Sequence, residues 1–168
     1  MVWGMLKAVL GSFVIVFLLM VLEFRSLRLG IISMLPLSIA IISSYGFVGL
    51  AGKDYDMPIA VCSALSLGMA IDFAIHYLQR FKASYREFRD IEAVNTFMAG
   101  EPYRAIMGNA IVISLGFLPL ITSTLTPYVT VGTFFALLML FSTLATLILL
   151  PAIMRLWGES LFKREVSR

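Results

Sequence analysis

Asp72, His76 and Arg80 stand four residues apart in an otherwise apolar stretch, and they continue a series begun by Ala60, Ala64 and Gly68. Steps of four residues drift by only about 40° around a helix, so Gly68, Asp72 and His76 share one face. Ala60 and Arg80 lie well around from it. The small residues let another helix approach closely. A carboxylate at the centre of a bilayer is costly on a lipid-facing surface, by roughly 2.5–3.5 kcal/mol on insertion scales. Asp72 is therefore expected to point into a helix bundle, towards a partner or water. A carboxylate that changes protonation with its surroundings can couple proton entry to a conformational change. The alternative is a polar contact that only holds helices together. His76 lies about 6 Å along the helix, one turn away, and can pass a proton to Asp72 or sit as an interfacial histidine. Arg80 reads as an interface anchor. Asn109 and Ser114, with Thr122 beyond them, can line a polar path with Asp72 or act as bundle glue. Gly68, Gly108, Gly116 and Gly132 read as packing positions.

The elements that must carry these residues are legible in the hydropathy. The chain has 168 residues, of which 60% are hydrophobic; its mean hydropathy is +0.96. A soluble domain is about 45–50% apolar. The excess comes in long blocks, which is the membrane signature. Five spans are expected, at about residues 3–22, 29–51, 58–81, 103–122 and 128–157. Residues 82–99 break the pattern. They are charged, with Tyr85, Phe88, Ile91 and Val94 at helical spacing, and Phe97 and Met98 beyond. That stretch is expected to form an amphipathic helix on the membrane surface. The fold class is an all-α membrane protein, in one transmembrane domain over residues 1–168.

Charge gives an orientation. Eleven of the 13 Lys and Arg residues fall after spans one, three and five, and only Lys7 and Lys53 fall on the other side. By the positive-inside rule the turn at Arg25, the amphipathic segment and the C-terminus are cytoplasmic, and the loops near Asp54 and Thr124 face outward. The net charge of +3 gives no argument for nucleic acid, because the basic residues are dispersed between apolar blocks. One histidine, the single Cys62 and scattered carboxylates make no metal site. No cofactor motif, Ser–His pair or phosphate-cradling glycine loop appears, so an enzyme is not expected.

The run Leu67-Gly68-Met69-Ala70-Ile71-Asp72-Phe73-Ala74-Ile75-His76-Tyr77 resembles the resistance–nodulation–division (RND) superfamily. The closest likeness is to its lipid-exporter branch, the mycobacterial-membrane-protein-large (MMPL) and hopanoid-exporter type, whose signature is Gly-x-x-x-Asp. The likeness extends to Phe24-Arg25-Ser26-Leu27-Arg28-Leu29-Gly30 with Pro36, to Gly116-Phe117, and to Leu150-Pro151-Ala152. It implies half of an RND-type bundle: spans eight to twelve of a longer protein, or less favourably two to six. The other transmembrane half and the extracytoplasmic domains would then be supplied elsewhere. It further implies proton-driven export of a lipid or other hydrophobic molecule in a bacterial inner membrane, with Asp72 in the proton relay and an oligomer as one way to cover its face. One departure stands out. The exporter branch often has Tyr after this Asp, and here Phe73 supplies no hydroxyl. The alternative is a lipid-binding or regulatory module like the sterol-sensing domain, which shares the five-helix arrangement without pumping.

Overall fold

In the computed structural model, which describes residues 2–50, 52 and 57–166, the chain is all-helical, with no strand among the described residues. Two helices form an antiparallel hairpin first: α1 (Val2–Phe24) and α2 (Leu27–Leu50). Arg25 turns the chain between them with a left-handed φ of 49°. The hairpin is tight. A Cβ added at Gly30 would come within 2.6 Å of Val21 Cγ2, so glycine there lets α2 close on α1. Pro36 is accommodated inside α2, buried in the bundle. The loop expected around Asp54 lies outside the described residues.

Next, α3 (Met57–Phe88) runs for 32 residues without a break. The expected span over 58–81 and the first half of the expected amphipathic segment are thus one helix. The physical reason is a continuous buried face: Phe73, Tyr77, Phe81, Ser84 and Tyr85 are all buried, so the inward stripe runs on past the last fully apolar turn. The break comes at Arg89, in the left-handed region at φ 52°. Asp90 then caps α4 (Ile91–Met98), accepting bonds from the backbone N–H groups of Glu92 at 3.3 Å and Ala93 at 3.2 Å. Such a cap satisfies two of the amides a helix start leaves unpaired. Val94 and Met98 turn inward while Glu92 and Thr96 stay exposed, so this short helix is amphipathic. The rings of Phe88 and Phe97 meet across the break, 5.7 Å apart.

After Gly100, α5 (Glu101–Phe117) ends in a 3-10 segment, Leu118–Thr122. The last helix, α6 (Thr126–Val166), is 41 residues long, about 60 Å at 1.5 Å per residue. It is the centre of the bundle and packs on α2, α3 and α5. Three contacts show how closely. Ser142 Oγ donates to the carbonyl of Ala70 on α3 at 2.7 Å, buried from solvent. Phe135 stacks on Phe117 at 4.6 Å. A Cβ at Gly132 would meet Phe117 O at 2.9 Å and Leu120 Cβ at 2.7 Å, so only glycine fits where α6 passes the end of α5.

Four stretches are long and apolar enough to cross a membrane among the described residues: 7–24, 27–50, 91–122 and 126–159; the expected span over 58–81, several of whose side chains lie outside the described set, is not among them. Their outward faces carry large apolar side chains, among them Leu18, Leu22, Ile42 and Ile148. That is the surface expected of helices solvated by lipid rather than water.

Candidate functional site

The two faces of α3 differ sharply. One side carries Leu67, Ala70, Phe73, Ala74, Tyr77, Leu78 and Phe81, each at 2% exposure or less, packed into the core. Their spacing of three and four residues is that of a single helix stripe. The hydrogen bond from Ser142 fixes this side against α6. The opposite side carries Leu65, Gly68, Met69, Asp72, His76 and Arg80, all exposed. Packing one stripe inward thus aims the ionisable stripe outward. A Cβ built on Gly68 meets nothing within 4 Å, so space stands open beside the carboxylate. The side chains of Ala60 and Ala64, expected to extend the small-residue series, lie outside the described residues.

Asp72 and His76 are one helical turn apart on this exposed side. Below His76 a groove of about 260 Å³ opens between α3 and α5. Phe73, His76 and Arg80 line it from α3, Glu101 and Asn109 from α5, and Phe97 from α4. α5 presents Asn109 because its other stripe, Pro102, Ile106, Ala110 and Ser114, is buried. His76 and Asn109 are thus brought into one groove, with Asp72 next along the same face of α3.

Ser114 lies elsewhere. It is buried, and its hydroxyl donates to the carbonyl of Ala136 on α6 at 3.5 Å. Its place is in the α5–α6 contact rather than among the residues lining the groove. Thr122 ends the 3-10 segment and donates to the carbonyl of Pro119 at 2.8 Å. Two residues of the groove, Arg80 and Glu101, were not singled out as site residues by sequence reasoning. Glu101 is the first residue of α5, and only the fold of α4 brings that helix start beside α3. Near Arg80, Gln79 Nε2 donates to Glu23 Oε1 at 2.8 Å and ties the end of α1 to α3. Phe73, which stands where a hydroxyl partner was absent from the sequence, is buried at 2% exposure. Cys62 is buried, and its carbonyl accepts a short hydrogen bond from the Ser66 hydroxyl.

The family model described as "MMPL family" matches residues 1–168. Three relatives are each named "Putative membrane protein". MJ1562 of Methanocaldococcus jannaschii is 30% identical over 138 residues, covering 82% of this chain and 36% of the relative. SCO0839 of Streptomyces coelicolor is 30% identical over 164 residues, covering 95% of this chain and 23% of the relative. ActII-3 of the same organism is 24% identical over 161 residues, covering 93% of this chain and 23% of the relative. The chain therefore spans about a third of the length of the first relative and about a quarter of the other two.

Proposed function

The chain belongs to the MMPL family, and from that premise we propose that it forms the transmembrane part of a proton-driven exporter of lipids or other hydrophobic molecules, with Asp72 as the relay carboxylate. The observation that carries the reading is the exposed stripe of Gly68, Asp72 and His76 on a helix whose other side is fully packed. A carboxylate left facing lipid would cost roughly 2.5–3.5 kcal/mol, so this stripe needs a cover. The relatives are about three to four times longer than the part matched here, which leaves ample chain to form one. In the assembled protein the face would become an internal seam. Gly68 would let the covering helix come close. The carboxylate would exchange its proton with water or His76 on one side of the conformational cycle and with the covering half on the other. The groove at His76 and Asn109 is the proposed water-filled approach. On the positive-inside reading, its Arg80 and Glu101 end is cytoplasmic, so this groove would serve proton release rather than uptake in an antiporter driven by an inward gradient.

The test is Asp72→Asn in the full-length protein, reconstituted in vesicles with an imposed proton gradient and a fluorescent lipid as cargo. The amide keeps the shape and removes the titration. The expected result is loss of gradient-driven transport with normal expression and folding. Transport at the wild-type rate would remove Asp72 from the relay. Saturable lipid binding that ignores the gradient, in a protein that moves no lipid, would instead assign it to a lipid-sensing module.

A further inference from the structure

A second polar site lies on the buried face of α3, opposite the Asp72 stripe. Tyr77 is 2% exposed, and its hydroxyl has no hydrogen-bond partner. The side-chain oxygen of Asn95 on α4 is likewise buried and unpaired. A buried polar atom left unpaired is costly, and such groups ordinarily find a partner in protein or in something bound. Both residues line one cavity of about 490 Å³, walled by α3, α4 and α6. That is far more than the ~30 Å³ one water occupies, and it falls in the ordinary range for an organic ligand. Met98, Leu147 and Pro151 make most of its wall apolar, and the guanidinium-bearing Arg155 stands at its edge.

Two features say what would fit. First, a neighbouring groove shares Asn95, Ala99 and Arg155 with this cavity and adds the carboxylates of Glu92 and Glu159. Asp90 is there too, but its oxygens are engaged in capping α4. One cation beside two available carboxylates matches a ligand carrying an anion and an ammonium close together. Second, α6 presents an outward apolar stripe of Leu140, Leu144, Ile148 and Leu156 that leads to Arg155. Trp157, 64% exposed, adjoins its end. Tryptophan favours the headgroup level of a bilayer, so Arg155 sits where lipid phosphates lie.

We infer that this cavity binds an amine-bearing phospholipid from the adjoining leaflet, its phosphodiester on Arg155 and Tyr77, its ammonium towards Asn95, Glu92 and Glu159, and an acyl chain along α6. Arg and phosphate form strong charge-assisted hydrogen bonds. The Tyr77 hydroxyl can donate to the phosphate or ester oxygens, and the Asn95 side-chain oxygen can accept from the ammonium. The site rests only on the membrane placement of the chain, not on the transport reading.

The experiment is native mass spectrometry of the full-length protein, titrated separately with phosphatidylethanolamine, phosphatidylglycerol and phosphatidylcholine. The wild-type protein is expected to retain phosphatidylethanolamine about tenfold better than either of the others, the size of one charge-assisted contact. Arg155→Gln, a change at an exposed position, should lower retention of all three. Glu92→Gln with Glu159→Gln should erase the preference over phosphatidylglycerol while leaving phosphatidylglycerol retention unchanged. Tyr77→Phe should weaken retention of all three without altering the order. Equal retention of the three lipids by the wild-type protein, or an Arg155→Gln protein indistinguishable from it, would overturn the assignment. Either result can arise whether or not Asp72→Asn transports, so the two readings fail independently.

Discussion

Two glycines on neighbouring helices should respond to the same substitution in opposite ways. At Gly132 an added methyl would lie 2.7 Å from Leu120 Cβ and 2.9 Å from the Phe117 carbonyl oxygen. The second contact is to backbone, so no side-chain rotation relieves it, and α6 must move off the end of α5. Overpacking of this kind costs about 1–3 kcal/mol. Against it stands the helix-propensity gain of alanine over glycine, at most about 1 kcal/mol. The net effect of Gly132→Ala is a loss of up to about 2 kcal/mol, with the stacked Phe117–Phe135 pair at 4.6 Å the nearest contact to suffer. At Gly68 the added methyl meets nothing within 4 Å in this bundle. Gly68→Ala should leave its packing intact and, if anything, stabilise α3. Gly68→Leu would intrude only on whatever covers the Asp72 stripe. The assay is thermal unfolding of the full-length protein in detergent, run beside vesicle transport. Gly132→Ala is expected to unfold at a lower temperature. Gly68→Leu is expected to stay folded but transport poorly. If Gly132→Ala unfolds with the wild type while Gly68→Ala is destabilised, the packing described between α5 and α6 is wrong. If Gly68→Leu transports normally, nothing presses on the stripe.

Two further changes test the supports of the site. Asp90→Ala removes the cap of α4 and should cost about 1 kcal/mol locally, seen as faster amide hydrogen exchange over Ile91–Met98 with α6 unaffected; unchanged exchange would mean the cap does not hold α4. Ser142→Ala removes the buried bond to Ala70 and should lower stability by about 0.6 kcal/mol, the average for such bonds between membrane helices. A loss of several kcal/mol would show that this hydroxyl does more than join α6 to α3.

How much of this was legible in the sequence differs from element to element. The apolar blocks gave the helices because hydropathy over twenty residues is a bulk property that survives local detail. The shared face of Gly68, Asp72 and His76 was legible for a similar reason: helix geometry alone fixes it once the helix is granted. The end of α3 was not. Lys82, Arg86 and Glu87 signal a departure from the membrane, but a helix does not stop where it leaves the bilayer. It stopped at Arg89, and the signal available was Asp90, a capping residue directly before Ile91. The separation of Asn109 from Ser114 was legible, since five residues place them about 140° apart around a helix; which of the two is buried was not. Both are small polar residues on one helix, and only the packing of α5 on α6 decides that one is buried and the other lines the groove. The Tyr77–Asn95 cavity was beyond sequence reach altogether, since it needs α4 folded back against α3 and α6.

The division of labour on α3 also explains how its outer stripe can stay polar. Burial of its inner face against α6 places large side chains such as Phe73, Tyr77 and Phe81 at 2% exposure or less. Between helices in lipid the gain comes from close packing and interhelical hydrogen bonds rather than from leaving water. The helix is therefore held by its inner stripe, and the outer stripe is free to carry groups that would be unfavourable as structure. Had Asp72 been a structural contact within this bundle, it would lie on the buried side, where Ser142 already joins the two helices. It lies on the other side, exposed beside a glycine with open space.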